Sequence, residues 1–217
     1  MKNLMIKEWK LAASPLTKFF LLFTLMTLIP GYPILMGSMF VCLGIFYSYQ
    51  SIRENGDILY SLLLPVPKAQ VVRAKYLFCC VIQGAALLLM TGLTVLRLTA
   101  LRAWPPYVTN ALMPANLAYL GYVLLIFAAF NTVFLCGFFR TAWGIGWPLV
   151  RFIILAVAIT AAAEVLWHVP GLTFLGGAGG SALLRQGVFA LCCAAVCALA
   201  TWAGLRLSVR RFEKLDF

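Results

Sequence analysis

Acidic side chains are nearly missing from this chain: six Asp and Glu in 217 residues, against 17 Lys and Arg and a single histidine. A metal site takes three or four ligands, and no Cys, His, Asp and Glu cluster in the sequence offers them. Intramembrane proteases and prenyltransferases need paired carboxylates, or acids beside several histidines, and six scattered acids do not supply these. The G-x-S-x-G context of a nucleophile elbow is absent. So is the Walker pattern G-x-x-x-x-G-K-[ST], which excludes a phosphate loop of the chain's own. The GGAGG run at 176–180 follows no strand of a βαβ unit and reads as an outer turn. His168 stands between Trp167 and Val169 and reads as an interfacial polar residue. An enzyme built on Glu164, Arg151 and His168 stays open as an alternative; it would turn over without nucleotide.

Charge of either sign is scarce. Charged residues make up 11% of the chain and hydrophobic ones 64%, where a soluble domain carries roughly 25% charged. The chain is therefore an integral membrane protein. Its +11 net charge is explained by basic loops that set orientation, not by nucleic acid. Seven cysteines are present, but all lie in apolar runs, where they act as small hydrophobes; no disulfide framework is expected. No small-residue cleavage site precedes the first apolar run, so no cleavable signal is expected.

What is present is a series of apolar runs. Residues 1–13 form an amphipathic interfacial helix, with Lys2, Glu8 and Lys10 toward water and Leu4, Met5, Trp9 and Leu11 toward lipid. Residues 14–52 are broken at Pro30–Pro33 and fold as two short spans joined by a tight outer turn. Further spans run over Leu77–Leu98, Asn116–Phe139, Ala142–Trp167 and Gly187–Leu207. Six spans place Lys2, Lys7, Lys10, Lys18, Arg53, Lys68, Arg73, Lys75, Arg140, Arg206, Arg210, Arg211 and Lys214 on one side. Arg97, Arg102 and Arg185 fall on the other. Thirteen basic residues against three put both termini in the cytoplasm. The fold class is an all-α integral membrane protein of six transmembrane helices, one transmembrane domain over 1–217.

Between spans two and three lies a polar island, residues 53–76. On one helix over 52–64, Arg53, Glu54, Asp57 and Ser61 share an arc. Ile52, Ile58, Leu59, Leu62 and Leu63 share the opposite one. Arg53 and Asp57 stand at i,i+4, a weakly stabilising pair. Pro65 and Pro67 then break the helix, with Pro67 able to open the next. The pattern suits an interfacial linker or a protein-docking helix. Two charges fall inside span five, Arg151 and Glu164. Either they snorkel to the interfaces or they line a polar pathway with Asn131 nearby.

The island carries D-x-x-Y at Asp57–Tyr60, L-L-P-V at Leu63–Val66 and V-x-x-K-Y at Val72–Tyr76. This resembles the ABC-2-type permeases. It is similar in particular to the small six-span permeases of Gram-positive bacteria that serve phenol-soluble modulin and lantibiotic-immunity exporters. The motif covers about a tenth of the chain; the frame of spans covers all of it. The resemblance implies the transmembrane half of an exporter in a bacterial plasma membrane. Two permease chains, identical or sister, would join two ATP-binding subunits. ATP and Mg would be bound by those subunits and no cofactor by this chain. The coupling helix would hold Arg53, Glu54, Asp57 and Tyr60, with Glu54 and Asp57 making the contact. Spans two and five would line the pathway, offering Phe40, Phe46, Tyr47 and Arg151, with Asn131 from the intramembrane reading. The cargo would be a hydrophobic or amphipathic peptide, lipid or drug. A scaffold or immunity protein that binds amphipathic peptide without transport is the other alternative.

Overall fold

The computed structural model describes residues 2–9, 15–101, 103–108, 110, 112–177 and 180–215. Every regular element among them is helical. The far end of the expected N-terminal helix (10–13), Arg102 and the middle of the GGAGG run lie outside the described residues. α1 spans Lys2–Lys7 and α2 Pro15–Phe20. α2 continues as a 3₁₀ stretch over Leu21–Leu28. α3 is Met36–Glu54, α4 Asp57–Leu63, α5 Lys68–Thr99 and α6 Pro105–Val108. α7, Leu117–Ala129, passes through a π-helical stretch (Phe130–Leu135) into α8, Cys136–Thr141. α9 is Gly146–Leu166 and α10 Gly180–Glu213.

Four helices are long and apolar enough to cross a membrane: Lys68–Thr99, Leu117–Thr141, Gly146–Leu166 and Gly180–Glu213. They correspond to the four later spans read from sequence, but two overrun their expected limits. α5 begins at Lys68, nine residues before the apolar run, and α10 continues to Glu213. Helix formers such as Ala, Lys, Arg and Leu carry both beyond the hydrocarbon. Pro67 sits just outside α5 in an extended conformation (φ −59°, ψ 140°) instead of opening it, and its carbonyl accepts the Gln70 N–H.

The first two apolar segments form the expected hairpin. It turns at Pro30–Pro33, where Gly31 takes φ +73°. The two helical limbs of this hairpin lie in close backbone contact. A Cβ at Gly44 would stand 2.6 Å from Phe20 Cβ, and one at Gly37 2.7 Å from the Phe23 carbonyl oxygen. Thr17 Oγ1 donates to the Gly44 carbonyl at 2.8 Å and lies 2.6 Å from Ser48 Oγ. Small residues that admit close backbone approach are the usual packing device where lipid removes the hydrophobic drive.

The Leu117–Thr141 rod is the centre. Phe127, Phe130, Phe134, Phe138 and Phe139 are buried along it, and Tyr49 of α3 sets its ring edge against Phe134 and Phe138. α9 and α10 lie outside it, with most of their large apolar side chains exposed. At the Leu117 end of the rod, Asn116 caps α7 by accepting the Tyr119 N–H at 3.0 Å and donates to the Leu175 carbonyl. Arg97 is buried there, donating to the Thr27 carbonyl at 2.7 Å beneath the Tyr107 ring.

Candidate functional site

The expected helix over 52–64 is two helices. α3 stops at Glu54, and Gly56 turns the chain in the left-handed region at φ +62°, a conformation glycine takes without strain. The turn rotates α4 relative to a continuous helix and inverts part of the expected pattern. Asp57 and Ser61, placed by sequence on a water-facing arc, are buried. Asp57 pairs with Lys7 and Lys75, not with Arg53. Leu59, Tyr60 and Leu63 are exposed, Leu63 at 85%. Glu54 is exposed and accepts from Gln50 Nε2 at 3.0 Å, while Arg53 is half-buried.

Behind α4 lies a closed set of four charges. Lys7 Nζ sits 2.7 Å from Asp57 Oδ1 and 3.8 Å from Glu8 Oε1. Lys75 Nζ sits 2.8 Å from Asp57 Oδ2 and 3.1 Å from Glu8 Oε2. Lys7 also donates to Ser61 Oγ, and Ser61 in turn donates to the Asp57 carbonyl at 2.7 Å. Two cations face two anions, so the set is neutral and its ions are hydrogen-bonded, as burial requires. Glu8 and Leu4, assigned to water and lipid by the sequence pattern, are both buried here. Burial pushes the Asp57 carboxyl up, but the Lys75 and Lys7 ammonium groups more than offset this and hold it below its ordinary 3.8. The set ties α1, α4 and the base of α5 into one unit. Sequence reasoning missed Lys7, Glu8, Ser61 and Lys75 as partners. The available signal was Glu8, the one acid in a basic N-terminal segment.

The residues expected to line a pathway fall into separate places. Phe40 is half-buried and stacks on Phe23 at 4.6 Å. Tyr47 is exposed beside Phe20, and Phe46 sets its edge against Phe134. Asn131 lies elsewhere, in the π-helical stretch. Its Nδ2 donates to Gln83 Oε1 at 2.9 Å and to Thr201 Oγ1 at 3.0 Å, and its Oδ1 accepts from Gln83 Nε2. Within this π stretch the Asn131 carbonyl accepts from Tyr76 OH at 3.1 Å. Such single π turns recur at functional positions. Arg151 is exposed on α9, apart from that network. Glu164 ties down the segment before α7 by accepting the Met113 N–H at 2.8 Å. Among the described residues no three His, Cys, Asp or Glu side chains gather where a metal ion could be held.

The sequence profile described as "ABC-2 family transporter protein" matches residues 3–213. No curated protein and no solved structure matches the chain.

Proposed function

This chain belongs to the ABC-2 transporter family, and on that footing we propose that it is the transmembrane subunit of an ATP-binding-cassette exporter, driven by a separate ATPase. ATP and Mg are then bound by the ATPase, and this chain converts the motion of its partner into altered exposure of a pathway. α4 is the coupling helix. The observation that carries this reading is the exposed ledge of Leu59, Tyr60 and Leu63 on α4, a helix pinned from behind by buried ion pairs, with Glu54 exposed beside it at the end of α3. A helix pushed by a partner transmits force only if it is fixed to the spans, and Asp57 fixes it to α1 and α5 together.

The reading takes the hairpin as two further spans, six in all, with both termini cytoplasmic. Its first limb has six α-helical and eight 3₁₀ residues. At ~1.5 Å and ~2.0 Å per residue these extend about 25 Å. The 19 residues of α3 extend about 28 Å. Both lengths approach the ~30 Å hydrocarbon core, the 3₁₀ stretch making up for a limb too short as α-helix. A second permease chain would meet the exposed faces of α3 and α9, bringing Tyr47 and Arg151 to a shared pathway for a hydrophobic or amphipathic cargo.

The test is co-purification in detergent with the ATP-binding subunit of the same transporter. Wild type is compared with a Glu54→Arg/Leu59→Asp/Leu63→Asp variant, which leaves Lys7, Glu8, Asp57, Lys75 and the Tyr60 ring over which Lys7 lies in place. The expected result is a wild-type complex that hydrolyses ATP and a folded variant that neither binds nor stimulates hydrolysis. A variant that assembles and hydrolyses normally would remove α4 from the contact. Cargo binding by a chain that assembles with no ATPase would favour the scaffold reading.

A further inference from the structure

A lateral cavity of about 630 Å³ opens between α5, α7 with its π-helical extension, and α10, with no lining residue from α3 or α9. Its α5 wall repeats on one helical face through Arg73, Leu77, Cys80, Gly84 and Leu87. Small side chains on the facing α10 wall, Ala194, Cys197 and Ala198, keep the space open. At its basic end it runs into a second hollow of about 460 Å³, which shares Arg73, Trp202 and Leu205 with it and adds Arg206 and Arg210. All three arginines are exposed, and the Arg206 guanidinium lies 4.0 Å over the Trp202 ring. Among the described residues none of the three forms an ion pair with a carboxylate; Glu213 follows one turn after Arg210 at the end of α10.

The dimensions set the level of each part. Arg73 and Arg97 are separated by about 36 Å along α5 at ~1.5 Å per residue, enough to bracket the ~30 Å hydrocarbon core. Arg73 therefore lies at a headgroup level, with Trp202 at the interface, where tryptophan concentrates. From Arg73 to Leu87 the groove runs about 21 Å. That exceeds the ~15 Å of one leaflet's hydrocarbon. An apolar slot one leaflet deep, with arginines at its headgroup end, has the polarity of an anionic lipid.

We propose that this groove binds an anionic phospholipid of the bilayer, one acyl chain lying along Leu77 to Leu87 and the phosphate held by Arg73, Arg206 and Arg210. Guanidinium groups suit phosphate oxygens through paired N–H donors. Basic hollows between spans on the cytoplasmic side hold such headgroups. The assignment of the leaflet rests on the cytoplasmic orientation proposed above; the binding itself does not need the ATPase.

The experiment titrates detergent-purified chain with dioleoyl phosphatidylglycerol and dioleoyl phosphatidylcholine, reading bound lipid by native mass spectrometry. Two variants accompany wild type. Arg73→Gln/Arg206→Gln/Arg210→Gln removes the headgroup contacts. Gly84→Leu fills the slot at a position where an added Cβ meets nothing within 4 Å, so the fold tolerates it. Wild type is expected to prefer phosphatidylglycerol, with about fivefold lost per arginine removed. Gly84→Leu is expected to lose at least a tenfold share of phosphatidylglycerol binding at unchanged thermal stability, order-of-magnitude for a blocked acyl site. Glycerol 3-phosphate at equal concentration should not compete. Equal retention of the two lipids by wild type, or retention of phosphatidylglycerol by either variant, would overturn the proposal. Competition by glycerol 3-phosphate would reassign the arginines to a free anion. A wild-type dimer made monomeric by Gly84→Leu would assign the groove to a second copy of the chain. None of these outcomes bears on ATPase docking, which the α4 ledge variant tests separately.

Discussion

Two buried polar networks sit at different depths of this molecule and are built from different chemistry. The one behind α4 is made of full charges: Lys7, Lys75, Glu8 and Asp57. The one in the middle of the central rod is made of neutral dipoles: Gln83, Asn131 and Thr201, with Tyr76 and Ser208 below them. The difference follows from the cost of burial. At mid-membrane depth an ion is costly to bury, whereas amides and hydroxyls need only partners. Near the membrane surface four ions can balance one another, and their pairing specifies which segments meet. The charged set joins elements remote in sequence into a rigid unit. The neutral set locates α5, α7 and α10 against one another without introducing charge. Both are closed, so each is most sensitive to the loss of a single member.

The largest effect is expected from breaking the charged set on one side. Lys75→Met leaves two buried carboxylates facing Lys7 alone and should cost about 3–5 kcal/mol, the order seen when one partner of a buried pair is removed. Chemical unfolding in detergent measures this. A Glu8→Gln/Lys75→Met double variant should be less damaged than Lys75→Met, because it restores balance between Lys7 and Asp57; a sum of the two single effects would refute the coupling.

Acid should separate the two networks. The folded Asp57 carboxyl titrates below its ordinary 3.8. Its contribution to stability is therefore fully present above pH 3.8 and is lost as the pH falls through the folded value. Thermal melting followed downward from pH 7 should steepen below that point, and Asp57→Asn should flatten this part of the curve. Asn131→Leu should lower stability at every pH while leaving the acid step in place.

Smaller effects are expected in the neutral network. Asn131→Leu strands the Gln83 amide and should cost about 1–2 kcal/mol. Pairing it with Gln83→Leu should cost less than the two single changes combined, since both orphaned groups then disappear. Smallest of all, Tyr76→Phe removes the hydroxyl that the Asn131 carbonyl and Ser208 share, about 0.6 kcal/mol by the average for such bonds in membrane proteins. A loss comparable with Lys75→Met would place the π-helical stretch, not the charged set, at the centre of stability.

The sequence by itself determined the membrane class, the helices and the place of the polar island. Each of these follows from local composition: apolar runs of span length, proline and glycine breaks, and basic residues gathered between them. It also determined that 53–76 differs from a plain loop, since D-x-x-Y and L-L-P-V are contiguous patterns. What it could not give was the direction in which α4 faces. That depends on one backbone angle at Gly56, which turns the helix so that Asp57 and Ser61 point inward and Leu59, Tyr60 and Leu63 outward. The identity of the partners of Asp57 was equally hidden. Lys7 and Lys75 lie 50 and 18 residues away, and a helical-wheel argument sees only neighbours within a turn or two. Asn131 was legible as a costly polar residue in a span, but not its pairing with Gln83 and Thr201, or the π turn in which it lies. Local rules determine which segments are helices and how far each can reach. Long-range complementarity of charge, hydrogen bonding and volume decides which faces meet, and that is settled only when all the segments are packed together.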